Sequence, residues 1–182
     1  KVKKMNIYSK PNKLICLLFL FISVAAFGQV RLPKLISDGM VLQRDANIKI
    51  WGWAAAEEQI SIHFIDSTYS VTADNEGEWH TILPKLKSGG PYKMKIEASN
   101  KINIDDIMIG EVWVCSGQSN MQLQVNECRD ADREIAKATY PKIRLFQVKR
   151  VPSHSPLDDV EGAWEACSPE SVKGFSGAAY FF

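Results

Sequence analysis

The sequence predicts a small β-sandwich followed by the first part of an α/β domain, and three features carry that prediction. Apolar and polar residues alternate in short runs from residue 48 to 107. From residue 109 an apolar run, a helical pattern and a second apolar run succeed one another, and the chain opens on a basic and then apolar leader. A period of two sends successive side chains to opposite faces of a strand, whereas strand–helix–strand order points to a parallel sheet with right-handed crossovers.

The leader comes first. Lys1, Lys3, Lys4, Lys10 and Lys13 are basic, "LICLLFLFISVAAFG" is apolar, and Ala26 and Gly28 supply small residues for cleavage. Residues 1–28 are therefore expected to be a secretory signal cut near Gln29, giving a secreted or periplasmic protein with no stable membrane insertion afterwards. An uncleaved anchor is the competing reading, disfavoured because a span needs about 20 apolar residues. Cys16 has no small-residue cleavage site just before it, which argues against a lipoprotein.

Residues 29–107 are expected to form the sandwich. "NIKIWGW", "QISIHFI", "TYSVTA", "EWHTILP", "YKMKIEA" and "KINIDDIMI" are its strands, taken as antiparallel, with "ADNEGE" and "KSGGP" as turns. Trp51, Trp53 and Trp79 lie in these strands as core or interdomain aromatics, with a sugar-stacking platform as the sharper alternative.

Residues 108–182 are expected to begin an α/β domain. "EVWVCS" reads as a buried strand, "DADREIAKA" as a helix and "KIRLFQV" as a second strand. "SPESVKGFSGAAYFF" opens as a helix with Ser168 as N-cap and Pro169 at the first helical position. Two strands are too few for such a core, so the sequence reads as the front part of a longer protein.

Composition narrows the function. A formal net charge of +1 offers no basic footprint for nucleic acid. Cys115, Cys128 and Cys167 lie beyond the leader; three thiols allow at most one disulfide, and none of the spacings is that of a zinc site. Cys115, within the apolar run, reads as a core thiol. Asp158, Asp159 and Glu161 form an acidic group in a long loop, read as solvated, and no metal or cofactor is expected.

The stretch "GEVWVCSGQSNM", residues 110–121, carries the chemistry. A buried strand breaking at Gly117 would place Ser119 at the carboxyl edge of a sheet, where open α/β folds bind ligands. Its N–H would then sit at a helix N-terminus, able to stabilise an oxyanion, while Gly117 permits the tight turn. On these grounds Ser119 is either a helix cap or a nucleophile.

The twelve-residue block resembles the nucleophile block of SGNH-type carbohydrate esterases, and specifically that of the sialate O-acetylesterase family. "RLPKLISDGMVLQRD" and "IKIWGWA" are similar to the family's N-terminal β-domain, and "IRLFQV" and "PLDDVEGAWEACSPESVKGFSGAAYFF" to the family's segment downstream of the nucleophile. The resemblance implies an α/β/α, flavodoxin-like esterase domain, incomplete here. It implies that Ser119 is the nucleophile, that the Ser119 N–H is part of the oxyanion hole, and that Gln118 stands where the commoner block has Asp. Gly117, Gln118, Ser119 and Asn120 form the block, with Asn120 and Met121 shaping it.

The activity so implied is hydrolysis of O-acetyl esters on sugars, typically 9-O-acetylated sialic acids, through an acetyl-serine and without a cofactor. The family's base is an Asp-x-x-His near its C-terminus, with further oxyanion donors in a Gly-rich and a Gln-Gly-Glu block. None of these motifs occurs in these 182 residues, and His63, His80 and His154 read as surface or packing residues. The chain alone is therefore expected to be inactive or nearly so. An acetylesterase for xylan or another polysaccharide, and a secreted carbohydrate-binding module without chemistry, are the alternatives.

Overall fold

Strand β2 (Ile48–Trp53) pairs antiparallel with β5 (Glu78–Leu83), and the alternation read from the sequence decides which side chains face inward. Ile48 and Ile50 from β2 and Trp79 and Leu83 from β5 are buried, while Lys49, Glu78 and His80 are exposed. The computed structural model describes residues 28–182, so the expected signal segment lies outside the described residues apart from Gly28. No described helix is long and apolar enough to cross a membrane.

A five-stranded sheet lies against this pair. Its order is β1–β7–β6–β3–β4, built from β1 (Val41–Gln43), β3 (Gln59–Phe64), β4 (Ser67–Thr72), β6 (Gly89–Glu97) and β7 (Lys101–Gly110). Ile60, Ile62, Phe64, Met94, Ile96, Ile104, Ile107 and Ile109 point from it into a single hydrophobic cluster shared with β2 and β5. Burying one such side chain contributes about 1.5–3 kcal/mol, so this shared layer dominates the stability of the β region.

The sheet is mixed, which corrects the expectation of antiparallel strands throughout. β1 runs parallel to β7, with Gln43 opposite Gly110. β1 is not joined to β7 by a hairpin, since β2 to β6 intervene, and a long connection leaves either direction open. The turn before β5 is read correctly: Asp74 Oδ1 accepts the N–H groups of Glu76 and Glu78. Gly77 adopts φ +79° there, and a Cβ would meet the Ala54 carbonyl oxygen at 2.5 Å.

Trp79 is buried, Trp51 packs partly against the same cluster, and the ring of Trp53 lies beneath the guanidinium of Arg31 at 3.9 Å. These contacts are packing contacts.

The remaining elements gather round a second, smaller core. α1 (Ala131–Lys137) and β8 (Tyr140–Phe146) match the sequence reading, followed by β9 (Trp164–Cys167), α2 (Pro169–Lys173) and α3 (Gly177–Phe181). Ser168 caps α2 by accepting the Ser171 N–H, with Pro169 in the first turn. Val125, Ala138, Leu145, Cys167 and Val172 are buried together, with Ile135, Phe175 and Tyr180 against them.

β8 pairs antiparallel with β9, and no parallel pairing is present among the described residues from 111 on, within the stretch 108–182 where a parallel α/β layer was expected. "EVWVCS" is not a strand either: residues 111–117 pair with no strand among the described residues and are exposed. All-parallel sheets are buried on both faces, and among the described residues no strand pairs with this exposed segment. Trp164 joins the two cores, packing against the larger one and donating its Nε1–H to the Leu35 carbonyl at 2.9 Å.

Candidate active site

The block that contains Ser119 is held at both ends and free in the middle. At its upstream end β7 finishes at Gly110, whose carbonyl accepts the Arg44 N–H at 2.8 Å. The Glu111 carboxylate takes hydrogen bonds from Gln43 Nε2 at 2.9 Å and Arg44 Nε at 2.6 Å. Gln43 Oε1 in turn accepts the Val112 N–H at 2.8 Å. The Gln43 bond, followed by the Arg44 guanidinium, holds the Glu111 carboxyl below its usual range, and Glu111 raises Arg44.

Beyond Val112 the chain leaves the protein surface. Trp113 is 67% exposed with its ring 5.0 Å from that of Phe182, and Val114 is 91% exposed. Cys115 is exposed too among the described residues, where a core thiol was expected. The three cysteines Cys115, Cys128 and Cys167 are all free. Burial pushes the Cys167 thiol up.

Gln118 is extended, and Ser119–Gln122 make a single 3₁₀ turn closed by the Met121 N–H on the Gln118 carbonyl at 3.0 Å. Ser119 thus opens a one-turn 3₁₀ segment where the sequence suggested a helix N-terminus at the end of a buried strand. Ser119 and Asn120 are both exposed. Close approach explains Gly117: a Cβ there would lie 2.9 Å from Met121 Cγ.

The downstream end is tied by backbone. Gln124 forms an antiparallel bridge with Ser176. The Gly177 N–H reaches the Leu123 carbonyl at 2.8 Å, and the Val125 N–H reaches the Phe175 carbonyl at 3.0 Å. Val125 is fully buried in the second core.

The three histidines stand elsewhere. His63 on β3 bonds Thr68 Oγ1 through Nδ1 at 2.9 Å and Glu97 Oε2 through Nε2 at 3.0 Å. His80 is exposed on β5, opposite Trp51, and His154 is exposed in the loop before β9. The structure therefore keeps Gly117, Gln118, Ser119 and Asn120 together on one turn and brings none of these imidazoles into the block. Of the acidic loop, Asp159 accepts the Lys34 N–H at 2.9 Å and Glu161 pairs with Lys149 at 2.7 Å.

No protein-family model matches the chain. Human sialate O-acetylesterase is 30% identical over 168 residues, which are 83% of this chain and 31% of that protein. The mouse sialate O-acetylesterase is 26% identical over 160 residues, covering 81% and 30%. The chain belongs to the sialate O-acetylesterase family. It spans about 30% of the length of those relatives. A carbohydrate acetylesterase from Xanthomonas citri, known by crystal structure, superposes with a TM-score of 0.81 at 32% identity, over 84% of this chain and 36% of that one.

Within this family segment, sequence reasoning missed Gln43, Arg44 and Glu111 as a unit. Gln43 and Glu111 are 68 positions apart, and only the parallel pairing of β1 with β7 makes them neighbours. A polar pair at the ends of two strands gives no periodic signal that could have revealed it.

Proposed function

We propose that the protein hydrolyses O-acetyl esters on sugars, with Ser119 as the nucleophile and 9-O-acetylated sialic acids as the first substrate class to test. The observation that carries this reading is the exposure of Ser119 on a short turn, held from both ends, in a chain of the sialate O-acetylesterase family. The accompanying domain reading is a β-sandwich at residues 29–107 and an esterase domain beginning at 108. A secreted or periplasmic location, reached through residues 1–28, is part of the same proposal.

In this mechanism Ser119 Oγ attacks the acetyl carbonyl carbon, and its proton passes to a histidine. The tetrahedral oxyanion is met by the Ser119 N–H, the C–O bond to the sugar breaks, and the sugar oxygen takes the proton. Water then cleaves the acetyl-serine. Ser119, Gly117, Gln118 and Asn120 are the contribution of this segment. The histidine and its carboxylate would come from the part of the family's length that this chain does not span. General-base help is worth about 10²–10⁴ in rate and one oxyanion donor about 10²–10³. The 182 residues alone are accordingly expected to show no enzyme-like turnover.

A second substrate reading has support of its own, since the Xanthomonas citri relative is described only as a carbohydrate acetylesterase. Acetylated plant polysaccharide belongs in the same assay. Acetate release by the full-length protein from 9-O-acetylated sialic acid, lost in Ser119→Ala, supports the first reading. Release from acetylated xylan alone supports the second, and release from neither, with a folded protein, refutes both.

A further inference from the structure

We propose that Gln29 is a modification site: once the leader is cut between Gly28 and Gln29, the new amino terminus closes on its own side chain to give pyroglutamate. This rests on the secretion reading of residues 1–28.

Val30 is the first described residue whose backbone is bonded into the fold. It is 3% exposed, its N–H donates to Asn100 Oδ1 at 2.9 Å, and its carbonyl accepts from Asn100 Nδ2 at 3.1 Å. Arg31 then exchanges both backbone hydrogen bonds with Trp53, at 2.9 and 3.0 Å, and lies so close to Gly52 that a Cβ there has no room. These bonds all lie within the β-region. A cut beyond Val30 would take a buried side chain from the larger core and leave the Asn100 amide unpaired, so processing has to stop ahead of it. On the other side, Ala26 and Gly28 put small residues at the third and first positions before the Gly28–Gln29 bond. One exposed residue, Gln29, therefore stands between the cut and the core.

That residue carries both reacting groups. A free α-amine titrates at about 7.7–8.0, so a useful fraction of it is neutral and nucleophilic at neutral pH. The carboxamide of the same residue is within reach of a five-membered ring, and tethering replaces an encounter in solution. The α-nitrogen attacks Cδ, the N–Cδ bond forms, the Cδ–Nε2 bond breaks, and ammonia leaves with a proton from the amine. No oxidant or second substrate enters. Closure leaves the Val30 N–H untouched, so the Asn100 bonds survive it. It also removes a terminal charge one residue from a buried position, where a neutral end is better accommodated. Neither Gly28 nor Val30 has a carboxamide, so a cut one bond to either side yields no lactam.

The test exports the full-length protein from its own leader and measures intact mass before mapping the amino-terminal peptide, so that ring closure during digestion is told apart. The expected terminus is residue 29, lighter than its glutamine form by one ammonia. It should resist stepwise amino-terminal degradation until pyroglutamyl aminopeptidase removes it. Gln29→Ala should be cut at the same bond and keep a free amine. A wild-type terminus at Gln29 whose glutamine stays open through incubation at neutral pH overturns the proposal and leaves the secretion reading standing. An uncut leader overturns both, and a terminus at another residue overturns the proposal alone.

Discussion

Arg144 holds both carboxylate oxygens of Asp106, at 2.9 and 2.8 Å, across 38 positions of sequence. The Arg144 side chain is 6% exposed and that of Asp106 52%. Asp106 adopts φ +58° where β7 places an extra residue against β6, between the Met94–Ile104 and Tyr92–Ile107 pairs. Such a bulge re-aims a side chain, and aspartate tolerates the left-handed region better than most residues. A nearly buried guanidinium that loses one charged acceptor is costly, so Asp106→Asn, which keeps the shape and removes the charge, should destabilise the protein by about 1–3 kcal/mol. Denaturant unfolding monitored by tryptophan fluorescence measures it.

Acid should weaken the fold partly through Glu97. Hydrogen bonds from Lys95, then Lys101, hold its carboxyl at about 2, against an ordinary 4.5, and His63 also touches it. With the folded value depressed, the stabilisation is complete above the unfolded value and is lost as pH falls from 4.5 towards 2. Glu97→Gln should flatten the fall of the unfolding midpoint across that window; an unchanged slope would show that other carboxylates carry it.

Thiol labelling should sort the cysteines by exposure. Cys115 is exposed, while Cys167 is buried with a raised thiol pKa. Alkylation of the native protein, read by peptide mass spectrometry, should modify Cys115 first and Cys167 only after unfolding.

Gly117→Ala should impair catalysis more than folding. The added Cβ meets Met121 Cγ at 2.9 Å on an exposed turn, so the local backbone shifts while the cores stay intact. Acetyl-ester turnover should fall at least about tenfold with an unfolding temperature close to wild type, and Met121→Ala in the same chain should restore part of it.

The strands of the larger core were legible because β2, β3, β5, β6 and β7 bury one face only, so that alternation survives in the sequence. The cap at Ser168 with Pro169, and the helix at Ala131–Lys137, were legible from local chemistry. The parallel pairing of β1 was not, because three residues carry no direction. Residues 111–117 misled because an apolar run reads as buried whether or not a partner is at hand. β9, four residues long, offered too short a pattern to separate from loop. Ser119 was singled out by its motif, whereas the contact of Gln43 with Glu111 depends on a strand pairing that no local pattern announces.

The most direct test of the central claim is to look for the acetyl group itself. Full-length protein is mixed with an acetylated sugar, quenched in acid during turnover, digested and mapped by mass spectrometry. The account predicts acetyl on Ser119, and neither acetyl nor turnover in Ser119→Ala. Undiminished turnover by a folded Ser119→Ala protein would contradict it.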